Sequence, residues 1–221
     1  MGAELTKRIF TSIILLLLLC AMYLYTFVMI CSLIIIAMIA WVEFYALISK
    51  IIKKDLFKDK FLRFLYKSMS LIYLFSLVFL IFAIESYYFD LKIYILYSVL
   101  VAILSDIGGL VFGKTFKGKK LTKISPNKTI SGSIGSFFFS FLLIPFFYRE
   151  LVNQDLLLLL IATIIISTTS QLGDLFISYL KRKAKVKDTS DILPGHGGFL
   201  DRIDGIIFAI PVGIIALNFL I

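Results

Sequence analysis

Three carboxylates stand where a carboxylate is costly. Asp174 sits inside a run rich in leucine and isoleucine, and Asp201 and Asp204 sit at the start of the last apolar segment. An ionisable side chain within a membrane span costs at least a few kcal/mol, so it faces protein rather than lipid and marks a site. Asp201 and Asp204 fall one helical turn apart. Carboxylates so placed can hold a hard divalent cation, which takes one or two of them and completes its shell with phosphate oxygens. With Asp174 on the neighbouring span, a shared metal site of Asp174, Asp201 and Asp204 is the expectation. The loop between them carries Lys181, Arg182, Lys187 and Arg202, cations suited to phosphate, while Pro194, Gly195, Gly197 and Gly198 permit a tight backbone path. His196, the only histidine, reads first as a hydrogen-bonded structural residue.

Two further carboxylates lie in apolar runs. Asp106 is surrounded by small residues, Ser98, Ala102, Ser105, Gly109 and Gly113, nearly in register, which let another helix or a ligand approach the backbone. Glu43 lies beside Trp41, where pairing with a lysine and a catalytic role weigh equally. Ser167, Ser170, Gln171, Asp174, Ser178 and Lys181 recur at spacings of three or four and form one polar stripe on a helix. The stripe suits a wet groove opening at Lys181; the plainer reading of its serines is hydrogen bonding between helices. A second basic loop, GKTFKGKKLTKISPNKTISG from Gly113 to Gly132, lacks the Gly-x4-Gly-Lys-Ser/Thr spacing of a Walker A loop. Its hydroxyls, backbone donors and lysines still suit a polyphosphate, and Ser125, Lys128 and Thr129 are the candidates for that contact.

The elements that must position these residues are membrane helices. Of 221 residues 60% are hydrophobic, and the mean hydropathy is +1.00. A net charge of +9 points to no nucleic acid here, because the cations sit in short runs between apolar blocks; anionic headgroups or a phosphate-rich substrate are the partners to expect. Lys7 and Arg8 before Ile9 to Met22 look like a signal peptide, but no small-residue cleavage site follows, so a retained span is expected. Cys20 and Cys31 read as small buried hydrophobes.

Seven spans are expected: two within residues 9–48 with a turn near Tyr23 to Thr26, then 68–84, 93–112, 132–148, 156–181 and 206–221. Between 49 and 67 the apolar residues alternate with lysines as in a helix lying on the membrane surface. Apart from Lys92 and Arg149, every lysine and arginine falls in loops of one side, which the positive-inside rule assigns to the cytoplasm. The fold class is thus an all-α integral membrane protein, a polytopic helical bundle with cytoplasmic basic loops. A single domain over 1–221 is expected, with spans in 9–84 as a lipid-facing scaffold and 93–221 as the catalytic half.

Ser178, Lys181-Arg182, Lys187-Asp188, Ser190, Pro194, His196-Gly197-Gly198, Asp201-Arg202 and Asp204 occur at the spacings of the phosphatidate cytidylyltransferase signature. Ser125-Pro126-Asn127-Lys128-Thr129 resembles that family's Ser-Pro-x-Lys-Thr segment, and Asp106 with Gly113-Lys114 resembles its upstream Asp and Gly-Lys. Leu110 stands where many members carry an aromatic residue and Ser131 where many carry Glu. The resemblance implies transfer of a cytidylyl group from CTP to phosphatidate, giving CDP-diacylglycerol and pyrophosphate, in phospholipid biosynthesis at the cell (inner) membrane. It implies that Asp174 and Asp201 hold Mg²⁺ with a monovalent partner such as K⁺, that Asp204 assists, and that the protein forms a homodimer. Lys181, Arg182 and Arg202 would neutralise the triphosphate and the leaving pyrophosphate. Ser125, Lys128 and Thr129 would form a second phosphate-binding wall, with Ser178, Lys187, Asp188, His196, Gly197, Gly198 and Asp106 completing substrate binding. Two alternatives stand beside it: a CTP-dependent polyprenol or phytol kinase, and a small ion-coupled transporter using the intramembrane acids.

Overall fold

The computed structural model describes residues 2–53, 56–122, 124–125, 128–151, 155–193 and 197–220. The described residues form helices α1 (Gly2–Leu24), α2 (Thr26–Ile51), α3 (Phe57–Tyr87), α4 (Lys92–Phe116), α5 (Ile130–Phe141), α6 (Ile144–Leu151), α7 (Leu156–Lys183), α8 (Leu200–Ile203) and α9 (Ile206–Leu220), with a 3-10 turn at Phe89–Leu91. Among these residues there is no strand, only isolated bridges at Lys120 with Thr129 and Leu193 with Gly197.

Among the described residues five stretches are long and apolar enough to cross a membrane: Thr26–Ile51, Phe57–Tyr87, Phe89–Phe116, Leu156–Lys183 and Leu200–Leu220. The pair α5 and α6, bent by 49°, makes a sixth if counted as one broken span. The all-helical multi-pass class expected from the sequence therefore holds, with five or six such spans against the seven expected; the described apolar run of α1, Ile13–Leu24, is shorter than the others. Large apolar side chains cover the outside, among them Phe75, Phe146 and Phe219, as lipid contact requires. Cys20 and Cys31, expected to be buried, lie on exposed faces of α1 and α2, where an apolar side chain meets lipid at no cost.

Two elements differ from the sequence reading. The basic stretch 57–67 is not a separate surface helix but the first turns of α3, which runs unbroken for 31 residues. No glycine or proline interrupts it, and its lysines and arginine can reach water from the end of a span by snorkelling. The expected span 132–148 is broken ahead of Pro145. The ring of Pro145 has no N–H for the carbonyl of Phe141, so the chain tightens, with Leu142 and Leu143 donating to the carbonyls of Phe139 and Ser140 at 3.2 Å. Pro145 then sits in the first turn of α6, where its missing N–H is harmless.

The chain packs into two compact units. Unit 1 contains α1, α2 and α3 with residues 180–202, and unit 2 contains 87–179 with 203–221. In unit 1 the α2–α3 hairpin is tied at one end by the Thr26 hydroxyl donating to Glu85 at 2.8 Å, and further along by the Trp41 indole donating to the Lys67 carbonyl at 3.1 Å.

Unit 2 is built around Tyr97, Val101, Leu159, Ala162, Ile166, Ala209 and Leu217. The Tyr97 hydroxyl donates to Thr163, 2.6 Å away, because the Thr163 proton is already committed to the Leu159 carbonyl at 2.7 Å. Helices α4 and α5 touch backbone to backbone: a Cβ on Gly135 would lie 2.7 Å from the carbonyl oxygen of Gly108. The small-residue register seen in the sequence is therefore a helix-packing seam. Gly108→Ala should separate α4 from α5 and lower stability by about 1–3 kcal/mol, read as a lowered midpoint of thermal unfolding in detergent.

Candidate active site

Helix α7 carries the polar stripe. Its upper serines serve packing rather than a groove: Ser167 shares a hydrogen bond with Ser105 of α4 at 3.0 Å, and Ser133 of α5 donates to Gln171 at 2.6 Å. Ser167 and Ser170 are fully buried, and the Ser170 hydroxyl has no hydrogen-bond partner among the described residues. One turn on, the character changes. Asp174 is partly exposed, pairs with Lys128 and accepts a hydrogen bond from Ser178 at 3.3 Å.

Lys128 is placed by its neighbours. Thr129 is the N-cap of α5, its hydroxyl oxygen accepting from the Gly132 amide at 3.0 Å, and this fixes where the loop ends and the helix begins. The loop before it folds back on itself, with Leu121 donating to the Lys128 carbonyl at 2.8 Å and Lys128 donating to the Ser125 carbonyl at 3.1 Å. Ser125, Lys128 and Thr129, expected as one phosphate-binding wall, thus share a single turn at the start of α5. Asp204 is buried after α8 and accepts from the Gly205 amide at 2.9 Å. Its backbone lies against α7 next to Asp174: a Cβ on Gly173 would come 2.8 Å from the Asp204 carbonyl. Asp106 stands on an exposed face of α4.

In unit 1, the centre is a pair of carboxylates. Helix α7 ends in a Schellman turn, with the Val186 amide donating to the Lys181 carbonyl at 3.0 Å and the Lys185 amide to the Arg182 carbonyl at 3.1 Å. Lys185 takes the left-handed conformation that closes such a turn, φ 58°. This turn sets the last residues of the helix, and Lys181 reaches Asp201 at 2.6 Å. The same carboxylate accepts from the Thr189 amide at 2.8 Å, the Thr189 hydroxyl at 3.0 Å and the Gly198 amide at 3.1 Å.

Beside it lies Glu43, only 2% exposed. Glu43 accepts from the Thr189 hydroxyl at 2.8 Å, the Ser190 hydroxyl, the Phe199 amide at 2.9 Å and the Leu200 amide at 2.8 Å. The sequence left lysine pairing and a catalytic role open for Glu43; among the described residues its carboxylate is met by a ring of N–H and O–H donors. The single proton of the Thr189 hydroxyl stands between the two carboxylates. Lys181 and the surrounding amides and hydroxyls compensate the burial of the two carboxylates.

Glycine is required twice in this loop. Gly197 has a φ of 80°, a left-handed conformation that disfavours other residues, and it packs on Asp188. A Cβ on Gly198 would strike the Thr189 hydroxyl and come within 2.7 Å of Glu43. Gly198→Ala should therefore displace the loop and destabilise the protein by about 1–3 kcal/mol, measured as a drop in unfolding midpoint. Arg182, Lys187, Asp188 and Arg202 are exposed around this framework. His196, with Pro194, Gly195, Pro126 and Asn127, lies outside the described residues.

The carboxylates divide by how a metal ion would find them. Asp174 offers partly exposed oxygens engaged by one lysine and one hydroxyl, a donor set that fits a hard cation sharing phosphate oxygens. Asp201 already holds four donors, so a cation there would have to displace Lys181. No cluster of three or more metal-ligating side chains occurs among the described residues. Sequence reasoning missed Thr189, which lies between signature positions, and left Glu43 undecided. The one signal for Glu43 was a charge buried in an apolar helix.

The model of the cytidylyltransferase family matches residues 3–220. Over 122 residues the chain is 48% identical to phosphatidate cytidylyltransferases of Staphylococcus haemolyticus (strain JCSC1435) and Staphylococcus aureus (strain COL), and 44% identical to that of Staphylococcus epidermidis (strain ATCC 35984). These matches cover 54% of this chain and 46% of each relative, so the likeness spans about half the length of the curated relatives.

Proposed function

Because the chain belongs to the cytidylyltransferase family, we propose that it transfers the cytidylyl group of CTP to phosphatidate. A phosphate oxygen of phosphatidate bonds to the α-phosphorus of CTP, and the bond from that phosphorus to the bridging oxygen breaks, releasing pyrophosphate and leaving CDP-diacylglycerol. Two anions must meet in line, so catalysis is mostly positioning and charge neutralisation. The observation that carries the reading is the pairing of lysine with carboxylate in each unit, Lys128 with Asp174 and Lys181 with Asp201. Each pair stores a cation beside a group that can take a metal ion once an incoming phosphate draws the lysine away.

Lys128, with Ser125 and Thr129, is assigned to one phosphate group. Lys181, Arg182 and Arg202 are assigned to the triphosphate and its pyrophosphate, and Ser178 to holding Asp174. Asp174 and Asp204 would hold Mg²⁺, which when bound would neutralise phosphate oxygens. Asp201 would take a cation only after Lys181 had moved. The concentration of lysine and arginine in these loops supports a cytoplasmic face.

Labelled CTP tests the assignment with purified protein. Label from the cytosine ring should enter lipid, and pyrophosphate should form only when phosphatidate and Mg²⁺ are both present. Lipid that acquires the γ-phosphate label alone would make the protein a CTP-dependent lipid kinase and overturn the proposal.

A further inference from the structure

Asp201 uses its two oxygens differently. Among the described residues Oδ1 accepts from Lys181 alone, at 2.6 Å, whereas Oδ2 accepts from the Thr189 amide at 2.8 Å, the Thr189 hydroxyl at 3.0 Å and the Gly198 amide at 3.1 Å. One oxygen is thus fastened to the loop by three donors while the other faces a single flexible lysine. Lys181 can therefore leave for a phosphate group without the carboxylate losing its place.

Two of those three donors belong to Thr189, a side chain only 6% exposed. The same hydroxyl lies 2.8 Å from Oε2 of Glu43, and among the described residues it is the one group that touches both carboxylates. A hydroxyl has one proton to give, so the two acids share it. The backbone leaves room for this contact, since the space that a Cβ would fill at Gly198 is taken by the Thr189 hydroxyl. Glu43 is held independently, Oε1 by the Ser190 hydroxyl and the Phe199 amide and Oε2 by the Leu200 amide. Glu43, Thr189 and Asp201 form one line that starts on α2 and ends at the Lys181 ammonium.

We propose that Thr189 is a positioning residue for the transfer reaction: its hydroxyl holds Asp201 against Glu43, so that Oδ1 stays aimed while Lys181 exchanges between the carboxylate and the substrate. The inference rests on the function proposed above, which assigns Lys181 to the triphosphate. Thr189 itself meets no substrate and acts through Asp201.

T189V and T189S separate this role from packing. Valine keeps the branched shape but has no proton to place between the carboxylates, whereas serine keeps the hydroxyl and loses a methyl. T189V should slow single-turnover cytidylyl transfer by roughly thirtyfold, short of the hundredfold scale of a displacement of about 1 Å, and T189S should stay within about threefold of the unaltered protein. Packing alone predicts the reverse order. T189S slower than T189V would overturn the proposal, as would unaltered turnover in T189V. Should T189V fail to fold, T189A against T189S makes the same comparison, and equal rates in those two would overturn it. Thermal unfolding in detergent supplies a readout that needs no substrate. Glutamine at position 43 removes the second carboxylate, so T189V should lower the midpoint less in the E43Q background than in the unaltered protein. An equal drop in both backgrounds would break the link from Glu43 to Asp201. Absence of cytidylyl transfer in the unaltered protein would strike the proposed function and leave the midpoint comparison standing, whereas transfer that T189V leaves untouched would strike this inference alone.

Discussion

Asp174→Asn is expected to lower CTP-dependent turnover by about a thousandfold, the scale on which removing one preorganised charge acts on a developing transition state. The substitution is informative because it spares the fold. Lys128 and Asp174 have side chains 25% and 23% exposed, and a pair still reached by solvent costs less to break than a fully buried one, so the change in unfolding midpoint should be small beside the loss of turnover. Unfolding cannot therefore account for a loss of that size. The comparison with Asp201→Asn makes the point sharper. Lys181 and Asp201 are 12% and 5% exposed, and breaking a buried pair costs about 3–5 kcal/mol, so that variant loses stability as well as turnover. The measurement is single-turnover kinetics beside thermal unfolding for both variants. Wild-type turnover in Asp174→Asn would remove this carboxylate from the chemistry.

The second large effect is expected at Glu43, as a positioning residue. Glu43→Ala strips the acceptor from the Thr189 and Ser190 hydroxyls and from the Phe199 and Leu200 amides. Hydrogen bonds to a charged group contribute about 1.5–3 kcal/mol each, so the segment 189–200 loses its anchor while the helices remain. Displacing bound groups by about 1 Å costs on the order of a hundredfold in rate, which is the loss expected here. Glu43→Gln keeps the shape and one acceptor oxygen but turns an NH2 towards two of the donors, and should recover part of that loss. Hydrogen exchange separates positioning from chemistry: the Phe199 and Leu200 amides should exchange faster in Glu43→Ala and be partly protected again in Glu43→Gln. Unchanged protection in both would end the anchoring role.

These expectations show what could be read in the chain beforehand. Span positions were legible because hydropathy depends only on local composition, and the signature was legible because fixed polar spacings survive in one dimension. The break before Pro145 carried its own marker, yet the apolar run continued through it, and period alone does not reveal a bend. The Lys181–Asp201 pair was visible as two candidate residues but not as a contact, since the turn that aims Lys181 depends on a left-handed lysine at 185, where no glycine signals it. Glu43 was visible as a charge out of place. Its partners were not, because Thr189 and the amides of Phe199 and Leu200 have no side-chain signature pointing back to α2.

The bond from Thr189 to Glu43 spans 146 positions of the chain. At translation rates of about 5–20 residues per second, roughly 7–30 seconds separate the emergence of Glu43 from that of the segment that satisfies it. During that interval α2 carries Glu43 without the donors that surround its carboxylate in the finished fold. The nascent protein therefore passes through a stage at which its N-terminal helices are made while the loop that anchors on Glu43 is not. Closure of the loop is accordingly a late, long-range event in biogenesis. Premature release of the chain should leave an open hairpin that quality-control proteases can recognise.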